Sequence, residues 1–449
     1  MAARKFDVLI LGGGNGGMGA TVATRAAGLS VALVEERDLG GTCSNRGCVP
    51  KKVLVAAGHA LHEIERAKAH CIATGAPRLD WGGLIRREKE MIRPLPASFA
   101  RTMAERGVEV LRGQARFVAP DAVQVGSERI EATHIVIATG GVPRKLPIEG
   151  AQHMITSDEV LSEETQPGSV VFIGGGVIAF EFSHVYARAG TEVTILEAQP
   201  HLLGQMDADA VDKLGAESER IGIAIRTGVK VQRIEKAGAR LRVTFEAGEA
   251  THTAEADRVV NGAGRVPDIE ALDLAAGNVA HDRGHLALDA YLRSTSNPAV
   301  YAAGDLLAAP QLSPLATYEG RIVGRNIVEG PKHTPDYANV PSCVYTVPAL
   351  ASVGLTEAAA RDKGLKITVK ATDMTGWITA RTYAETAAWA KIILEEGSEK
   401  ILGAHILGHA GEELINFFAL AMTQGVTADT LREMIYAYPT FSNDIKSLL

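Results

Sequence analysis

The chain has 449 residues, of which 46% are hydrophobic, and its formal net charge is −7. This length suggests about three domains with sizeable apolar cores. The acidic balance excludes the basic surface of a nucleic-acid-binding protein, and no run of about eighteen apolar residues predicts a membrane helix. Residues Met1–Lys5 lead into an apolar strand without the apolar segment of a signal peptide, so we expect a cytoplasmic location.

The cysteine count gives a second limit. Four cysteines in a chain of this length predict no disulfide framework. We expect Cys71 and Cys343 to be ordinary buried thiols. No metal site is predicted, because no metal-ligand spacing with cysteines or acids is shown by His59, His62, His201, His405 and His409.

The first predicted strand, Phe6–Leu11, ends in a glycine-rich turn, Gly12–Gly17. An Ala-rich helix follows up to Gly28, and a second strand, Val31–Val34, ends on Glu35. This order of strand, glycine turn, helix, strand and acid is typical of a dinucleotide-binding unit. The glycines let a pyrophosphate approach the start of the helix, and Glu35 can accept hydrogen bonds from a ribose.

Two cysteines five positions apart, Cys43 and Cys48, come next. Apolar residues at helical spacing predict a helix that begins near Cys48, and Pro50 suits its first turn. A thiolate at a helix N-terminus beside lysines has a lowered pKa, so we expect Cys48 to be the electron-donating thiolate. Cys43, on the preceding loop, is expected to face solvent and attack a substrate sulfur. A structural pair is the alternative, and the adjacent nucleotide motifs favour the redox function.

The dinucleotide-binding unit then recurs. Ser169–Ile173 is a predicted strand, Gly174–Ala179 contains the turn, and a helix and the strand Val193–Leu196 lead to Glu197. In both copies the first glycine precedes the acid by 23 positions. Ala179 stands where Gly17 stands in the first copy, which should alter only how closely helix and strand pack. Two dinucleotide sites and a dithiol suggest an electron relay.

Short strands separate the predicted domains. His134–Gly140 ends the first domain, and Val259–Arg265 ends the second. Another strand, Val300–Ala303, runs into Gly304 and Asp305, whose carboxylate can bind a cofactor hydroxyl.

From about Val340 the pattern changes to alternating strands with two helices, which predicts a separate α+β domain. One helix is centred on Leu414–Met422, and the other runs from a Thr427 cap through Ile435. Their apolar faces indicate a core or a subunit interface.

In this order the motifs resemble those of the class I pyridine nucleotide-disulfide oxidoreductases, the flavoprotein family of dihydrolipoamide dehydrogenase, glutathione reductase and mercuric reductase. The resemblance covers the whole chain and rests on Gly12–Gly17 with Glu35, Gly40–Lys51, Ala138–Gly140, Gly174–Ala179, Gly262–Arg265, Ala303–Asp305 and Val353–Glu357. It implies an α/β fold with two Rossmann-like domains, one for FAD and one for NAD(P), and a C-terminal α+β domain that forms a homodimer. The implied boundaries are 1–148 for the first part of the FAD-binding domain, 149–264 for the NAD(P)-binding domain, 265–335 for the central second part of the FAD-binding domain and 336–449 for the dimerisation domain.

The resemblance also assigns residue roles. It implies that Cys48 contacts the flavin and that Cys43 exchanges with the substrate. Lys51, or Lys52, would pair with Glu181 beside the flavin. The cofactor-binding positions that it implies are Gly12, Gly14, Gly17, Glu35, Thr42, Lys52, Ala115, Thr139, Gly140, Asp305, Leu312, Gly174, Gly176, Ala179, Glu197 and Gly264.

The choice of nicotinamide depends on Glu197. A carboxylate there accepts from a free ribose 2′-OH and repels a 2′-phosphate, and the neighbouring residues 198–201 supply no arginine. Ala179 is similar to the residue in NADP-using members and favours the opposite choice. We expect NADH, because the electrostatics of the acid act directly on the 2′ position.

The tail departs from the family pattern. Members carry His-Pro-Thr-x-x-Glu, supplied by the partner subunit as the base for the exchanging thiol, and here Tyr438 and Asn443 replace the His and the Glu. A tyrosine, with a pKa of about 10, is a poor base at neutral pH, so we expect Tyr438 to donate a hydrogen bond. Mercuric reductase also has a tyrosine here, but it carries a C-terminal cysteine pair that this sequence lacks.

The sequence therefore predicts an FAD-dependent NAD(P)H oxidoreductase. Its redox-active Cys43/Cys48 disulfide would pass electrons between NAD(P)H, FAD and a disulfide or dithiol substrate, as in dihydrolipoamide dehydrogenase. We expect a homodimer that binds neither nucleic acid nor membrane. The alternatives are a mercuric-reductase-like enzyme that reduces a metal or an electrophile, and a low-turnover flavoprotein that acts through a protein partner.

Overall fold

The computed structural model describes residues 4–449, so the first three residues of the expected FAD-binding domain lie outside it. The strands, in chain order, are β1 (Arg4–Leu11), β2 (Val31–Glu35), β3 (Val108–Arg112), β4 (Ala115–Ala119), β5 (Ala122–Val125), β6 (Glu128–Ile137), β7 (Gly141–Pro143), β8 (Ser169–Ile173), β9 (Glu192–Leu196), β10 (Ala224–Arg226), β11 (Val229–Ala237), β12 (Arg240–Ala247), β13 (Ala250–Ala256), β14 (Arg258–Asn261), β15 (Arg265–Pro267), β16 (His281–Asp282), β17 (His285–Leu286), β18 (Val300–Ala302), β19 (Ser342–Val344), β20 (Ala349–Gly354), β21 (Ile367–Asp373), β22 (Trp389–Glu395) and β23 (Ile401–Gly408). The α-helices are α1 (Asn15–Ala26), α2 (Gly41–Arg46), α3 (Cys48–Arg66), α4 (Trp81–Ile92), α5 (Leu95–Glu105), α6 (Ser157–Val160), α7 (Val177–Arg188), α8 (Ala208–Arg220), α9 (Ser313–Glu329), α10 (Glu357–Asp362), α11 (Ile378–Thr382), α12 (Gly411–Thr423), α13 (Ala428–Glu433) and α14 (Phe441–Leu448).

The described residues form two compact units. The first comprises the chain through Lys51, residues 86–144 and residues 265–337, and the second comprises residues 52–85, 145–264 and 338–449. Residues 52–85 belong to the second unit because Leu54 and Trp81 pack in the same apolar cluster as Phe180 and Tyr186. The sequence-based boundaries assign this segment to the FAD-binding domain, and those boundaries stay a prediction.

The first unit is built on a seven-stranded sheet of order β3-β2-β1-β6-β5-β4, in which β18 also pairs with β6. Strand β1 is parallel to β2 and to β6. The long strand β6 pairs antiparallel with β5 at its beginning and parallel with β18 at its end. The residues of β2 and the second half of β1 are buried and mostly apolar, as expected for central parallel strands.

Two helices of the first unit approach each other through glycines. A Cβ on Gly19 in α1 would lie 2.5 Å from the carbonyl oxygen of Thr317 in α9, and a Cβ on Gly320 would lie 2.1 Å from the carbonyl oxygen of Gly16. Only glycine permits this spacing, since atoms at these distances would overlap. The close packing brings the beginning of α9 to the beginning of α1.

The second unit contains three sheets. A parallel sheet of order β10-β9-β8-β14 carries the second glycine turn, and β11-β12-β13 form an antiparallel sheet. The last sheet, β19-β20-β23-β22-β21, is antiparallel, and α12 packs its buried Ile415 and Phe418 with this sheet's residues. The α+β domain predicted from about Val340 onward is therefore present. Within residues 4–449, no helix is long and apolar enough to cross a membrane.

Three local expectations were wrong. Cys43 lies in the short helix α2 rather than on a loop, because Gly40 and Gly41, with φ of +99° and +61°, turn the chain just before it. Helix α13 begins after the Thr427 cap as predicted but ends at Glu433, which leaves Ile435 96% exposed. Cys71 is exposed rather than buried, because it ends a surface 3₁₀ turn.

Candidate active site

The first glycine turn holds an oriented carboxylate. The backbone N–H of Gly13 donates to Glu35 Oε2 at 2.7 Å, and the N–H of Arg37 donates to Glu35 Oε1 at 2.7 Å. Gly12 has φ +111°, and a Cβ there would lie 2.3 Å from the carbonyl oxygen of Ala138. In contrast, a Cβ on Gly14, the N-cap of α1, would meet no atom closer than 3.8 Å. The turn is thus tight on its protein side and open at the start of the helix.

These residues fit a dinucleotide such as FAD. The hydroxyl oxygen of Thr139 is buried without a hydrogen-bond partner among residues 4–449, which marks a place for a ligand atom. Next to it, Gly140 has φ +75°, and a Cβ added there would meet no atom within 4 Å. Burial raises the pKa of Asp305, and the nearby Arg265 opposes that shift. A pyrophosphate would lie at the start of α1, a ribose at Glu35 and polyol hydroxyls at Asp305.

Three other expected cofactor residues lie in the same unit. Thr42 belongs to α2, next to Cys43. Ala115 is buried at the beginning of β4, and Leu312 is the N-cap residue of α9. Their contacts with a cofactor stay a prediction.

The two thiols contact each other in the first unit. A hydrogen bond from Cys48 is the main reason that the pKa of Cys43 is lowered, to about 6. The pKa of Cys48 is raised, first because it gives this hydrogen bond and then because its sulfur atom is desolvated and the charge of Cys43 is near, while Lys51 acts in the opposite direction. These directions differ from the expected lowered pKa of Cys48, and the roles of the two cysteines toward flavin and substrate stay a prediction. Cys43 is half-buried and Cys48 is exposed, which also differs from the expectation that Cys43 faces solvent.

The second glycine turn repeats the geometry of the first. The N–H of Gly175 donates to Glu197 Oε2 at 2.5 Å, and the N–H of Gln199 donates to Oε1 at 2.6 Å. Gly176 is the N-cap of α7, and Ala179 in its first turn is fully buried. The turn glycines Gly174 and Gly264 have φ of +106° and +90°. Both copies of the motif thus hold their acid by two backbone N–H groups.

The expected lysine–glutamate pair is distributed over both units. Glu181 is buried on α7 in the second unit, where its Oε1 accepts from the N–H of Tyr345 at 2.9 Å. Lys52 lies in that unit, with its Nζ 4.0 Å from the centroid of the Tyr345 ring and 3.8 Å from Glu412. Lys51 is buried in the first unit beside Cys48. Lys51, whose charge acts on the pKa of Cys48, is therefore the better candidate to act on the thiols.

Tyr438 is 72% exposed and precedes α14. That helix is capped by Thr440, whose Oγ1 accepts from the N–H of Asn443 at 3.1 Å. Asn443 therefore contributes its backbone to the cap at the position where relatives have the glutamate of the dyad.

Sequence reasoning missed two groups of residues. Asn15 and Ser313, the first residues of α1 and α9, hydrogen-bond to each other, and both lower the pKa of Cys43. The dipeptide Ser313-Pro314, typical of a helix start, was a usable signal for the second of them. His409 lies with Nδ1 3.0 Å from the buried Glu385. No sequence signal links that pair, since 24 positions separate them.

Comparisons with known proteins agree with this geometry. The family model described as pyridine nucleotide-disulphide oxidoreductase matches residues 6–320, and the model of that family's dimerisation domain matches residues 340–449. The chain belongs to the pyridine nucleotide-disulphide oxidoreductase family. The family and the α/β fold class with a C-terminal dimerisation domain, both predicted from the sequence, are confirmed.

Relatives of this family differ in their substrates. The chain is 32% identical to glutathione reductase of Burkholderia cepacia, with 99% of this chain and 98% of the relative covered. It is 32% identical to dihydrolipoyl dehydrogenase of Chlamydia muridarum, covering 97% and 94%, and 29% identical to mercuric reductase of Bacillus cereus, covering 98% and 70%. A similar solved structure is the Cu(II) complex of the HOCl-induced flavoprotein disulfide reductase RclA from Escherichia coli, with TM-score 0.88, 28% identity and 99% of each chain covered.

Family membership makes the chain an FAD-dependent flavoprotein oxidoreductase, as predicted. The relatives include glutathione, lipoamide and mercuric enzymes, so the substrate and the choice between NAD and NADP are not decided by similarity.

Proposed function

We propose that this oxidoreductase uses Cys43 and Cys48 as a redox-active disulfide that exchanges electrons with a disulfide or dithiol substrate. The observation that carries this proposal is the contact between the two thiols, on helices that begin beside the first glycine turn. Bound FAD supplies the exchange of an electron pair between a nicotinamide and a thiol pair. Glu35 and Asp305 would hold that cofactor, while Thr42, Ala115, Thr139, Gly140 and Leu312 line its site.

The remaining groups position the chemistry. Lys51 places a positive charge beside Cys48, and Glu181 is its candidate partner. Tyr438 donates a hydrogen bond where relatives have an imidazole. The dimerisation domain supports a homodimer, in which Tyr438 would come from the partner subunit.

The second site is proposed to take NADH. The carboxylate of Glu197 is held toward the end of β9 by the N–H groups of Gly175 and Gln199. An anion fixed in this place accepts from a ribose 2′-OH and repels a 2′-phosphate.

An anaerobic titration with NADH tests the main proposal. We expect NADH to bleach the visible flavin absorbance of the purified enzyme, and oxidised lipoamide or glutathione disulfide to restore it. Cys43→Ser and Cys48→Ser should each abolish reoxidation by the disulfide, whereas Cys71→Ser, at an exposed cysteine outside the pair, should leave it unchanged. A colourless protein that does not bind FAD, or a Cys43→Ser enzyme that still reduces the disulfide, would contradict the proposal.

A second candidate is the reduction of a soft metal ion or an electrophile. It is favoured by Tyr438, since a tyrosine is a poor base at neutral pH for disulfide exchange. Thiolate pairs select soft metal ions as substrates, and the similar RclA structure is a Cu(II) complex. Adding Hg(II), Cu(II) or a quinone to the NADH-reduced enzyme tests it, because rapid reoxidation by one of these acceptors alone would favour this candidate. Indifference to every acceptor would favour a low-turnover flavoprotein that acts through a protein partner.

A further inference from the structure

Helix α9 carries a buried carboxyl group, Glu319, that the chemistry proposed above does not use. The residue is only 2% exposed. Its Oε2 accepts from the N–H of Gly304 at 2.9 Å, and its Oε1 accepts from the Tyr337 hydroxyl at 3.0 Å. Since buried polar atoms are costly without partners, these two hydrogen bonds hold the carboxyl group in one orientation.

The N–H group that Glu319 holds belongs to the turn immediately before Asp305. This turn follows β18, and the N–H of Ala303 donates to the carbonyl oxygen of Ile137, at the end of β6, at 3.0 Å. Gly304 has φ +90°, a left-handed conformation that favours glycine. The hydrogen bond to Glu319 therefore fixes the peptide group from which the chain continues to Asp305.

The same turn is packed between two helices. A Cβ on Gly16 in α1 would lie 3.0 Å from the carbonyl oxygen of Ala303, and a Cβ on Gly304 would lie 3.5 Å from the Cβ of Ala316 in α9. The beginning of α1 is the place expected for the pyrophosphate. A shift of this turn would therefore also disturb the contact with the beginning of α1.

The carboxyl groups of Glu319 and Asp305 differ in their partners. Burial raises the pKa of Glu319 to about 7, the hydrogen bonds from Gly304 and Tyr337 oppose this shift, and the charge of Asp305 adds to it. Because the charge of Asp305 acts on Glu319, the two carboxyl groups are neighbours. Among residues 4–449 no hydrogen bond acts on the Asp305 carboxylate, which is left for a ligand hydroxyl.

We propose that Glu319 and Tyr337 are positioning residues for the flavin, which hold the turn that presents Asp305 to the polyol hydroxyls. This rests on the proposed function, in which Asp305 holds FAD. The Tyr337 hydroxyl donates to Glu319, Glu319 accepts from Gly304, and the turn fixed in this way orients Asp305. Neither Glu319 nor Tyr337 needs to touch the cofactor.

The rate at which the purified holoenzyme releases FAD tests this assignment. Samples are held at one temperature below the melting transition of every variant and ultrafiltered at intervals, and the flavin absorbance of the filtrate gives the rate. Glu319→Leu, which removes both acceptors, should release FAD about tenfold faster than wild type, and Tyr337→Phe about threefold faster. Glu319→Gln keeps an acceptor oxygen and should stay within about twofold of wild type.

The matched control is Tyr318→Phe. Tyr318 is the residue before Glu319 on α9, and its hydroxyl accepts from the N–H of Asp336 at 2.9 Å. This hydroxyl has no hydrogen bond to the turn, so its removal should leave the rate of FAD release unchanged.

A double-mutant cycle separates positioning from mere structure. Asp305→Asn alone should release FAD about tenfold faster than wild type, since it removes the charged acceptor. If Glu319 acts through Asp305, adding Glu319→Leu to Asp305→Asn should accelerate release by less than about twofold, whereas a purely structural role would give the same factor in both backgrounds. Tyr337→Phe takes the place of Glu319→Leu in the cycle if the leucine variant cannot be purified with flavin.

The proposal is overturned if Tyr337→Phe and Glu319→Leu release FAD at the wild-type rate, or if their effects are equally large in the Asp305→Asn background. It is also overturned if Asp305→Asn itself has no effect. FAD release needs neither NADH nor a substrate, so the result does not depend on turnover. A Cys43→Ser enzyme that still reduces the disulfide would contradict the proposed function, yet the release rates would still be measured.

Discussion

The two glycine turns use the same hydrogen bonds. In the first, the N–H of Gly13 holds Glu35 at 2.7 Å, and in the second the N–H of Gly175 holds Glu197 at 2.5 Å. In each copy a further N–H, two residues after the acid, holds the other carboxylate oxygen. The equal spacing of 23 residues therefore determines the orientation of the acid as well as the order of strand and helix. This orientation is the one in which the carboxylate would face a ribose.

The copies differ in how tightly the turn is packed. A Cβ on Gly17 would lie 2.0 Å from the carbonyl oxygen of Gly12, whereas Ala179 carries a Cβ at the matching place and is fully buried. Glu35 is buried, while Glu197 is half-buried. The first copy thus has no space for a side chain at Gly17, whereas the second accommodates the methyl group of Ala179.

The largest expected effect comes from Gly17→Ala. The added methyl overlaps a backbone carbonyl that cannot rotate away, so α1 must shift relative to β1. We expect a loss of about 3 kcal/mol or more in the free energy of unfolding, together with loss of bound flavin. Thermal unfolding and the flavin absorbance of the purified protein measure both changes.

The matched control is Ala179→Gly in the second turn. It removes a methyl without any overlap and should cost about 1 kcal/mol through helix propensity, with flavin retained. A Gly17→Ala protein that is as stable and as yellow as Ala179→Gly would contradict the difference between the turns.

Most features of the two turns could be predicted from the sequence, because they depend on residues that are close together in the chain. The strands before both turns and the acids after them follow from apolar runs and glycine spacing. The contact between Asn15 and Ser313 could not, since 298 positions separate them and they meet only because glycines let α1 and α9 approach. Helix α2 was missed because six residues are too few to show a helical period.

An intermediate effect is expected for Glu197→Ala. Removing the carboxylate removes its repulsion of a 2′-phosphate, so discrimination against NADPH should fall by about tenfold, the equivalent of about 1.4 kcal/mol. Steady-state kcat/KM for NADH and NADPH measures this ratio. Glu249→Ala, at an exposed acid of the same unit, is the control and should leave the ratio unchanged. An unaltered NADH/NADPH ratio in Glu197→Ala would refute the assignment of this acid.

The smallest effect concerns the pH dependence of stability, because the helices beside the two turns bury groups of opposite kind. In the first unit, α9 carries Glu319, which accepts from the N–H of Gly304 at 2.9 Å and from the Tyr337 hydroxyl at 3.0 Å. Burial raises its pKa to about 7. In the second unit, α7 carries His184, whose pKa burial lowers to about 3.

These shifts act in opposite directions. Glu319 binds its proton more tightly when folded, so its contribution to stability is lost as pH rises from about 4.5 to about 7. Folded His184 resists protonation, so its contribution is lost as pH falls from about 6.5 toward 3. Glu319→Gln should therefore remove the loss on the neutral side, raising the melting temperature at pH 7 by about 5 °C relative to pH 5. His184→Gln should reduce only the loss of stability toward acidic pH. Melting curves across this range measure both slopes, and a Glu319→Gln protein with the wild-type slope between pH 5 and 7 would show that its carboxyl is not protonated in the folded unit.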